Sequence, residues 1–348
     1  MKRSWLVIRP APFPISFRLD RRVPGVLLIL GLVLLLGIVM NVGQGEYAIS
    51  PGDVVKTLLG LEVDNPDYAF VVYTLRLPRT LVAVLVGMGL AIAGTITQGI
   101  ARNPLAEPSI IGINAGAALG AVTLIVLFPA TPVAVLPIAA FVGALAIAVL
   151  IYLLAWQNGS SPVRLVLVGV GFNLIAGALT SLMVTFGEIN TVSQALVWLT
   201  GSVYGRSWDS AIALAPWLIV GSGFALLRAR ELNTLNFGDE VARSLGCAVE
   251  WQRAMLLLIG VAIAGASVAT AGLIGFVGLM APHIGRQLVG TSHEGLLPTS
   301  ALLGGVIVVF SDWLGRILFA PIELPCGTIT AAIGAPYFIY LLIRTRKQ

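Results

Sequence analysis

YTLRLPRTLVAVLVGMG, residues 73–89, places two arginines, Arg76 and Arg79, around Leu77 and Pro78, directly ahead of an uncharged run that continues to Ala101. Roughly 20 apolar residues cross a bilayer as a helix, so the run reads as a membrane span over 80–99 with two like charges at one end. What those charges do depends on the side of the membrane they face.

The rest of the chain reads the same way. Of 348 residues, 57% are hydrophobic and 11% charged, and the mean hydropathy is +0.96. Soluble domains carry about 25% charged residues. The composition, with 39 Gly and 19 Pro, fits a polytopic all-α membrane protein, since both residues are more frequent in membrane helices than in soluble ones. Candidate spans are 23–42, 80–99, 109–128, 132–155, 163–185, 209–227, 253–270, 273–290, 297–315 and 327–343, ten in all. The stretch 253–290 reads as two spans split near Ala271-Gly272. The first 22 residues, MKRSWLVIRPAPFPISFRLDRR, resemble the start of a signal peptide, but MNVGQGEYA lacks a small-x-small cleavage site, so the first span is expected to stay uncleaved.

Charge sets the orientation. With the N-terminus cytoplasmic, sixteen of the 21 Lys and Arg fall on the inner side and five, Lys56, Arg76, Arg79, Arg206 and Arg316, on the outer side. Positive charge concentrates in cytoplasmic loops, so both termini are expected inside, with 1–22 as a cytoplasmic segment and 23–348 as a single ten-span domain. Outer loops are expected at 43–79 and 186–208. The first holds an amphipathic SPGDVVKTLLGL with a Ser50 cap and Pro51 at the first helical position; the second holds NTVSQALVWLTGSVYG, a short surface helix. The inner loop 228–252 reads as two short helices with Gly238 between them. Leu232, Leu235, Val241, Leu245 and Val249 form an apolar stripe there, either a membrane-surface connector or a docking face.

Several chemistries lack their residues. No P-loop pattern is present, and none of the three lysines follows a glycine. Cys247 and Cys326 do not make a disulfide framework, and His283 and His293 have no metal-ligand spacing around them, so no metal site or cofactor is expected. No basic cluster is interleaved with aromatics, which leaves nucleic acid without a binding surface. Ion-coupled carriers place ionisable groups at mid-membrane, whereas Glu107, Asp312 and Glu323 lie near span ends. The span middles, such as GMGLAIAGTITQG and GVGFNLIAGALTS, are small and apolar, which predicts close helix packing. Gln98, Asn173 and Thr180 are polar exceptions that would face a passage for a bulky solute.

RLPRTLVAVLVGMGLAIAGTITQGIARNPLAEP (76–108), IGINAGAALGA (111–121), GDEVARSLG (238–246), AGLIGFVGLMAPHIGR (271–286) and LPCGTITAAIGAPYFIYLL (324–342) occur in one order. The chain in this respect resembles the FecCD-type permeases of ABC importers for iron(III)-siderophores, cobalamin and haem, from about residue 25 onward. The resemblance implies the type II importer architecture of ten transmembrane helices and a location in the bacterial inner membrane. It also implies a second permease subunit, identical or similar, two cytoplasmic ATPase subunits and a periplasmic or lipid-anchored substrate-binding protein. An iron(III)-siderophore is the expected cargo, with cobalamin or haem as the alternative within the class and an ion-coupled secondary carrier as the alternative outside it. Catalysis belongs to the ATPase partner. The resemblance assigns ATPase coupling to Leu235, Gly238, Glu240, Val241, Ala242, Leu245 and Gly246. It assigns docking of acidic lobes of the binding protein to Arg76, Arg79 and Arg316, so that Arg79→Glu is expected to weaken docking and leave insertion intact.

Overall fold

The structure is a computed structural model that describes residues 5–8, 17–45, 47–63, 65–157 and 159–345. Parts of the N-terminal segment, 1–4 and 9–16, and the end of the C-terminal tail, 346–348, lie outside the described residues. Strands β1 (Trp5–Ile8) and β2 (Phe17–Asp20) pair antiparallel, with Trp5 opposite Asp20. This hairpin is absent from the sequence reading, because strands of four residues are too short to show an alternation.

The helices, in chain order, are α1 (Arg22–Gly43), α2 (Pro51–Leu58), α3 (Asp67–Phe70), α4 (Leu77–Ala101), α5 (Ile113–Leu127), α6 (Leu136–Ala155), α7 (Pro162–Phe186) and α8 (Ile189–Leu199). They continue with α9 (Trp208–Leu227), α10 (Ala229–Leu235), α11 (Asp239–Ser244), α12 (Val249–Ala271), α13 (Val277–Val289), α14 (His293–Ile317) and α15 (Cys326–Thr345). Each of the ten apolar segments read from the sequence contains one of these helices. Among the described residues eight helices are long and apolar enough to cross a membrane. The other two, α5 with 15 residues and α13 with 13, rise only about 20 Å, less than the ~30 Å hydrocarbon layer. The break between α12 and α13 runs from Gly272 to Phe276 and confirms two helices in 253–290.

One boundary differs from the sequence reading. The segment 43–79 is not loop up to Arg79: α3 runs through a π-helical segment, Val71–Arg76, directly into α4. Pro78 lies two residues beyond that segment, so it stands inside a continuous helix and not at a free helix start. The wider π turn just before it absorbs the ring that would clash with a regular preceding turn. α2 is capped by Ser50, whose Oγ accepts the Asp53 N–H at 3.1 Å.

α4, α12 and α14 form the buried centre, and α1, α6, α7 and α9 surround it with mostly exposed apolar faces. Small residues make the centre possible. A Cβ added to Gly87 would run into the Gly304 carbonyl, and one added to Gly94 into the Gly278 carbonyl. α4 therefore lies backbone against backbone with α14 and α13. Without a hydrophobic drive between helices in lipid, this close approach is what yields association energy.

Candidate functional site

The C-terminal ends of α1 and α14 and the N-terminal end of α4 are joined by one ionic cluster. Arg79, 8% exposed, donates from Nη2 to Asp312 Oδ1 at 2.7 Å and from Nη1 to Glu323 Oε2 at 2.8 Å. Arg316, 6% exposed, lies with its Nε 3.7 Å from Asp312 Oδ2 and donates to the Gln44 carbonyl at 3.1 Å and to Asn41. Asn41 Nδ2 donates to Asp312 Oδ2 at 3.1 Å, and Thr80 Oγ1 donates to Asn41 Oδ1 at 2.7 Å. Arg76 needs no carboxylate: Nη1 meets the Val42 carbonyl at 2.8 Å and Nη2 the Tyr47 carbonyl at 2.6 Å. The two adjacent arginines thus find their anions and acceptors inside this chain. Asp312 and Glu323 were visible in sequence only as carboxylates near span ends. The buried placement of Arg79 and Arg316 leaves Arg76, half-buried, as the most accessible of the three arginines assigned to docking.

This cluster forms one wall of a cavity of about 1170 Å³. The rest of the lining includes the apolar side chains of Ile125, Phe128, Leu136 and Trp198. The connection from α8 to α9 borders it and is held firmly: Ser202 N–H bonds Ala271 O at 2.7 Å, and Trp208 Nε1 donates to Tyr73 O at 2.8 Å. Tyr204 on this connection presents its ring 5.3 Å from the Arg79 guanidinium. Burial without a neighbouring carboxylate lowers the pKa of Arg206, two residues further on.

At the other end of the centre, the loop 228–252 forms the two expected short helices, α10 and α11, joined through Gly238 at φ +99°. Asp239 Oδ1 accepts from Arg253 Nη2 at 2.6 Å and pairs with Arg102 Nη2 at 3.3 Å. Arg102 is held left-handed, φ +51°, at the end of α4, and Arg253, 1% exposed, also grips Ser160 Oγ at 2.7 Å. Asn233 of α10 donates to Glu294 Oε2 at 2.7 Å and accepts the His293 N–H at 2.9 Å. The loop is thereby tied to α4, α12 and α14 together.

A model of the FecCD transport family matches residues 33–344. The chain belongs to the FecCD transport family. It is an integral membrane protein and a permease subunit of an ABC importer, not an enzyme; the family implies a permease partner and an ATPase. It is similar to the Fe(3+)-citrate import system permease protein YfmE of Bacillus subtilis, 44% identical over 92% of this chain and 96% of that one. It is also similar to the hemin transport system permease protein HmuU of Yersinia pestis, 37% identical over 92% and 97%. Among solved structures it resembles the inward-facing conformation of a metal-chelate type ABC transporter, with a TM-score of 0.83, 31% identity, and coverage of 92% of this chain and 99% of the other.

In this FecCD permease the apolar stripe of the loop 228–252 divides. Leu232, Leu235, Ala242 and Val249 point into the protein, whereas Val241 and Leu245, 46% and 65% exposed, point outward. Glu240 and Gly246 are exposed too. Phe237, between α10 and α11, is 68% exposed as well; as a single aromatic beside Gly238 it gives no periodic signal. The three polar residues read as facing a passage are bonded within the FecCD chain. Gln98, 3% exposed, accepts from Arg286 Nη2 at 2.5 Å. Thr180 bonds Ala176 O at 2.8 Å, and Asn173 donates to Ser109 O at 3.0 Å. Glu107 was missed as a structural residue: its Oε1 accepts the Phe276 N–H at 2.6 Å and fixes the start of α13.

Proposed function

We propose that this permease carries an iron(III)-siderophore across the bacterial inner membrane, with ten crossings and both termini in the cytoplasm. The names of the relatives support an iron chelate as cargo, and the excess of Lys and Arg on one side supports the orientation. In this reading α5 and α13 cross with the help of flanking non-helical segments shielded by protein. The pathway lies beside α7, whose Gly171 and Gly177 are open at the surface and whose Asn173 lies on the same helix. A second permease subunit completes it, and a substrate-binding protein docks outside around Arg76.

The observation that carries the coupling is the exposed trio Phe237, Val241 and Leu245 on a loop latched to α4, α12 and α14. An apolar face held in a fixed frame is what a moving ATPase needs in order to push the centre of the bundle. Leu245, Val241, Glu240 and Gly246 meet the ATPase; Leu235, Ala242 and Gly238 hold the shape of the loop. Leu245→Asp tests this. The side chain is already solvent-facing, so the unfolding temperature of the purified permease is expected to stay within about 2 °C of wild type. Burying an uncompensated charge in the ATPase contact costs several kcal/mol, so uptake is expected to fall by at least about tenfold. Normal uptake by Leu245→Asp would make this loop a mere connector.

A further inference from the structure

The outer cavity contains two donors that the ionic cluster does not use. Arg76, Arg79 and Arg316 each spend their terminal guanidinium nitrogens on carbonyls or carboxylates of this chain, and Arg316 Nε, without a hydrogen bond of its own, still lies 3.7 Å from Asp312 Oδ2. The Arg206 side chain has no hydrogen bond or ion pair among the described residues, and its buried Nε has no acceptor. Trp198, 9% exposed, lines the same cavity, and its indole N–H also lacks an acceptor. Both residues sit at the ends of the α8–α9 connection, which Ala271 and Tyr73 hold in place. A buried donor left without an acceptor is costly, and Nε is the buried part of an Arg206 side chain that is otherwise partly exposed to the cavity.

Charge points the same way. Four arginines line or border the cavity against Glu323 on its wall and Asp312 behind it. The surplus is positive, and the same cavity is lined by the apolar Ile125, Phe128 and Leu136. Such a space suits a bulky ligand that is acceptor-rich and anionic at one end. At about 1170 Å³ it is somewhat larger than the usual small-molecule site of roughly 300–1,000 Å³. A carboxylate side chain of a docked protein would satisfy the cation and leave the apolar lining uncovered.

We propose that Arg206 and Trp198 form an anion-binding subsite of the outer cavity, which takes carboxylate or catecholate oxygens of an anionic iron(III) chelate as it enters. The inference rests on the reading of this chain as an iron(III)-chelate permease. It adds that the chelate is selected by negative charge at this point. An uncharged iron(III) trihydroxamate gains nothing from Arg206.

The test uses the permease assembled with its ATPase in lipid nanodiscs and radiolabelled iron(III) dicitrate as the anionic probe, with an iron(III) trihydroxamate as the uncharged one. In equilibrium dialysis Arg206→Gln is expected to weaken dicitrate binding about tenfold, the loss of one charge-assisted contact. Arg206→Lys retains most of the affinity, and Trp198→Phe gives a smaller loss in the same direction. Added salt weakens dicitrate binding to wild type more than to Arg206→Gln, and trihydroxamate binding is equal in all of them. The proposal is overturned if wild type shows no saturable dicitrate binding, or if Arg206→Gln binds dicitrate like wild type. It is equally overturned if both probes weaken together, or if the variant instead loses affinity for the substrate-binding protein. Should Arg206→Gln fail to assemble, Trp198→Phe decides: weakened dicitrate binding with unchanged trihydroxamate binding supports the subsite, and unchanged dicitrate binding overturns it. ATP-driven uptake of iron chelates by the wild-type complex is scored separately; its absence would refute the functional reading, whereas its presence with unchanged Arg206→Gln binding refutes only the subsite.

Discussion

Arg79→Glu is expected to remove most of the folded permease from the membrane. Arg79 is buried against Asp312, which is itself 1% exposed. The substitution takes away the cation and sets a third carboxylate beside Asp312 and Glu323. Removing one partner of a buried pair costs about 3–5 kcal/mol, a large share of the stability of any domain. Arg316 compensates little, since its Nε is 3.7 Å from Asp312 and its other nitrogens serve Gln44 and Asn41. Size-exclusion profiles of the detergent-extracted protein and its unfolding temperature read the effect directly. Arg79→Lys, which keeps the charge and loses the two-pronged contact, is expected to fall between. This reverses the expectation from sequence, in which Arg79 faced a partner. If Arg79→Glu extracts and unfolds like wild type but no longer binds the substrate-binding protein, the cluster is a docking surface after all.

Gly94→Leu is expected to have an effect of similar size with no charge involved. Even a Cβ at Gly94 would fall on the Gly278 carbonyl, so a full side chain forces α4 and α13 apart. That separation also pulls Gln98 from the Gly278 carbonyl, 3.3 Å away, and from Arg286. Overpacking costs about 1–3 kcal/mol where neighbours can adjust, and here the obstacle is backbone. Gly171→Leu on the exposed face of α7 has nothing within 4 Å and serves as the control. Equal yields of folded protein from the two variants would show that the centre is looser than its geometry indicates.

The elements legible in the sequence were those set by local chemistry. Ten apolar runs marked ten helices, the Ser50-Pro51 pair marked the start of α2, and Gly238 marked the joint between α10 and α11. The arginine cluster was not legible, because Arg79 and Asp312 are 233 positions apart and no spacing rule joins them. Asp312 looked like one more acid near a span end until helix packing carried it to Arg79. The extension of α4 back to Asp67 was hidden by Pro78, which reads as a start and instead follows a π-helical segment. The inner stripe failed in part for a geometric reason. Leu235 and Val241 lie on different short helices, and the turn at Gly238 points one inward and the other outward. Arg206 was counted among the outer charges, but only the fold shows that its neighbours are engaged and it is not.

The most direct measurement is uptake into proteoliposomes that contain the permease with its ATPase partner, with the substrate-binding protein and radiolabelled iron(III) chelate outside. The account predicts accumulation that requires internal ATP, the ATPase and the binding protein together, and that an imposed proton or sodium gradient does not drive. Accumulation by the permease alone under such a gradient would contradict it.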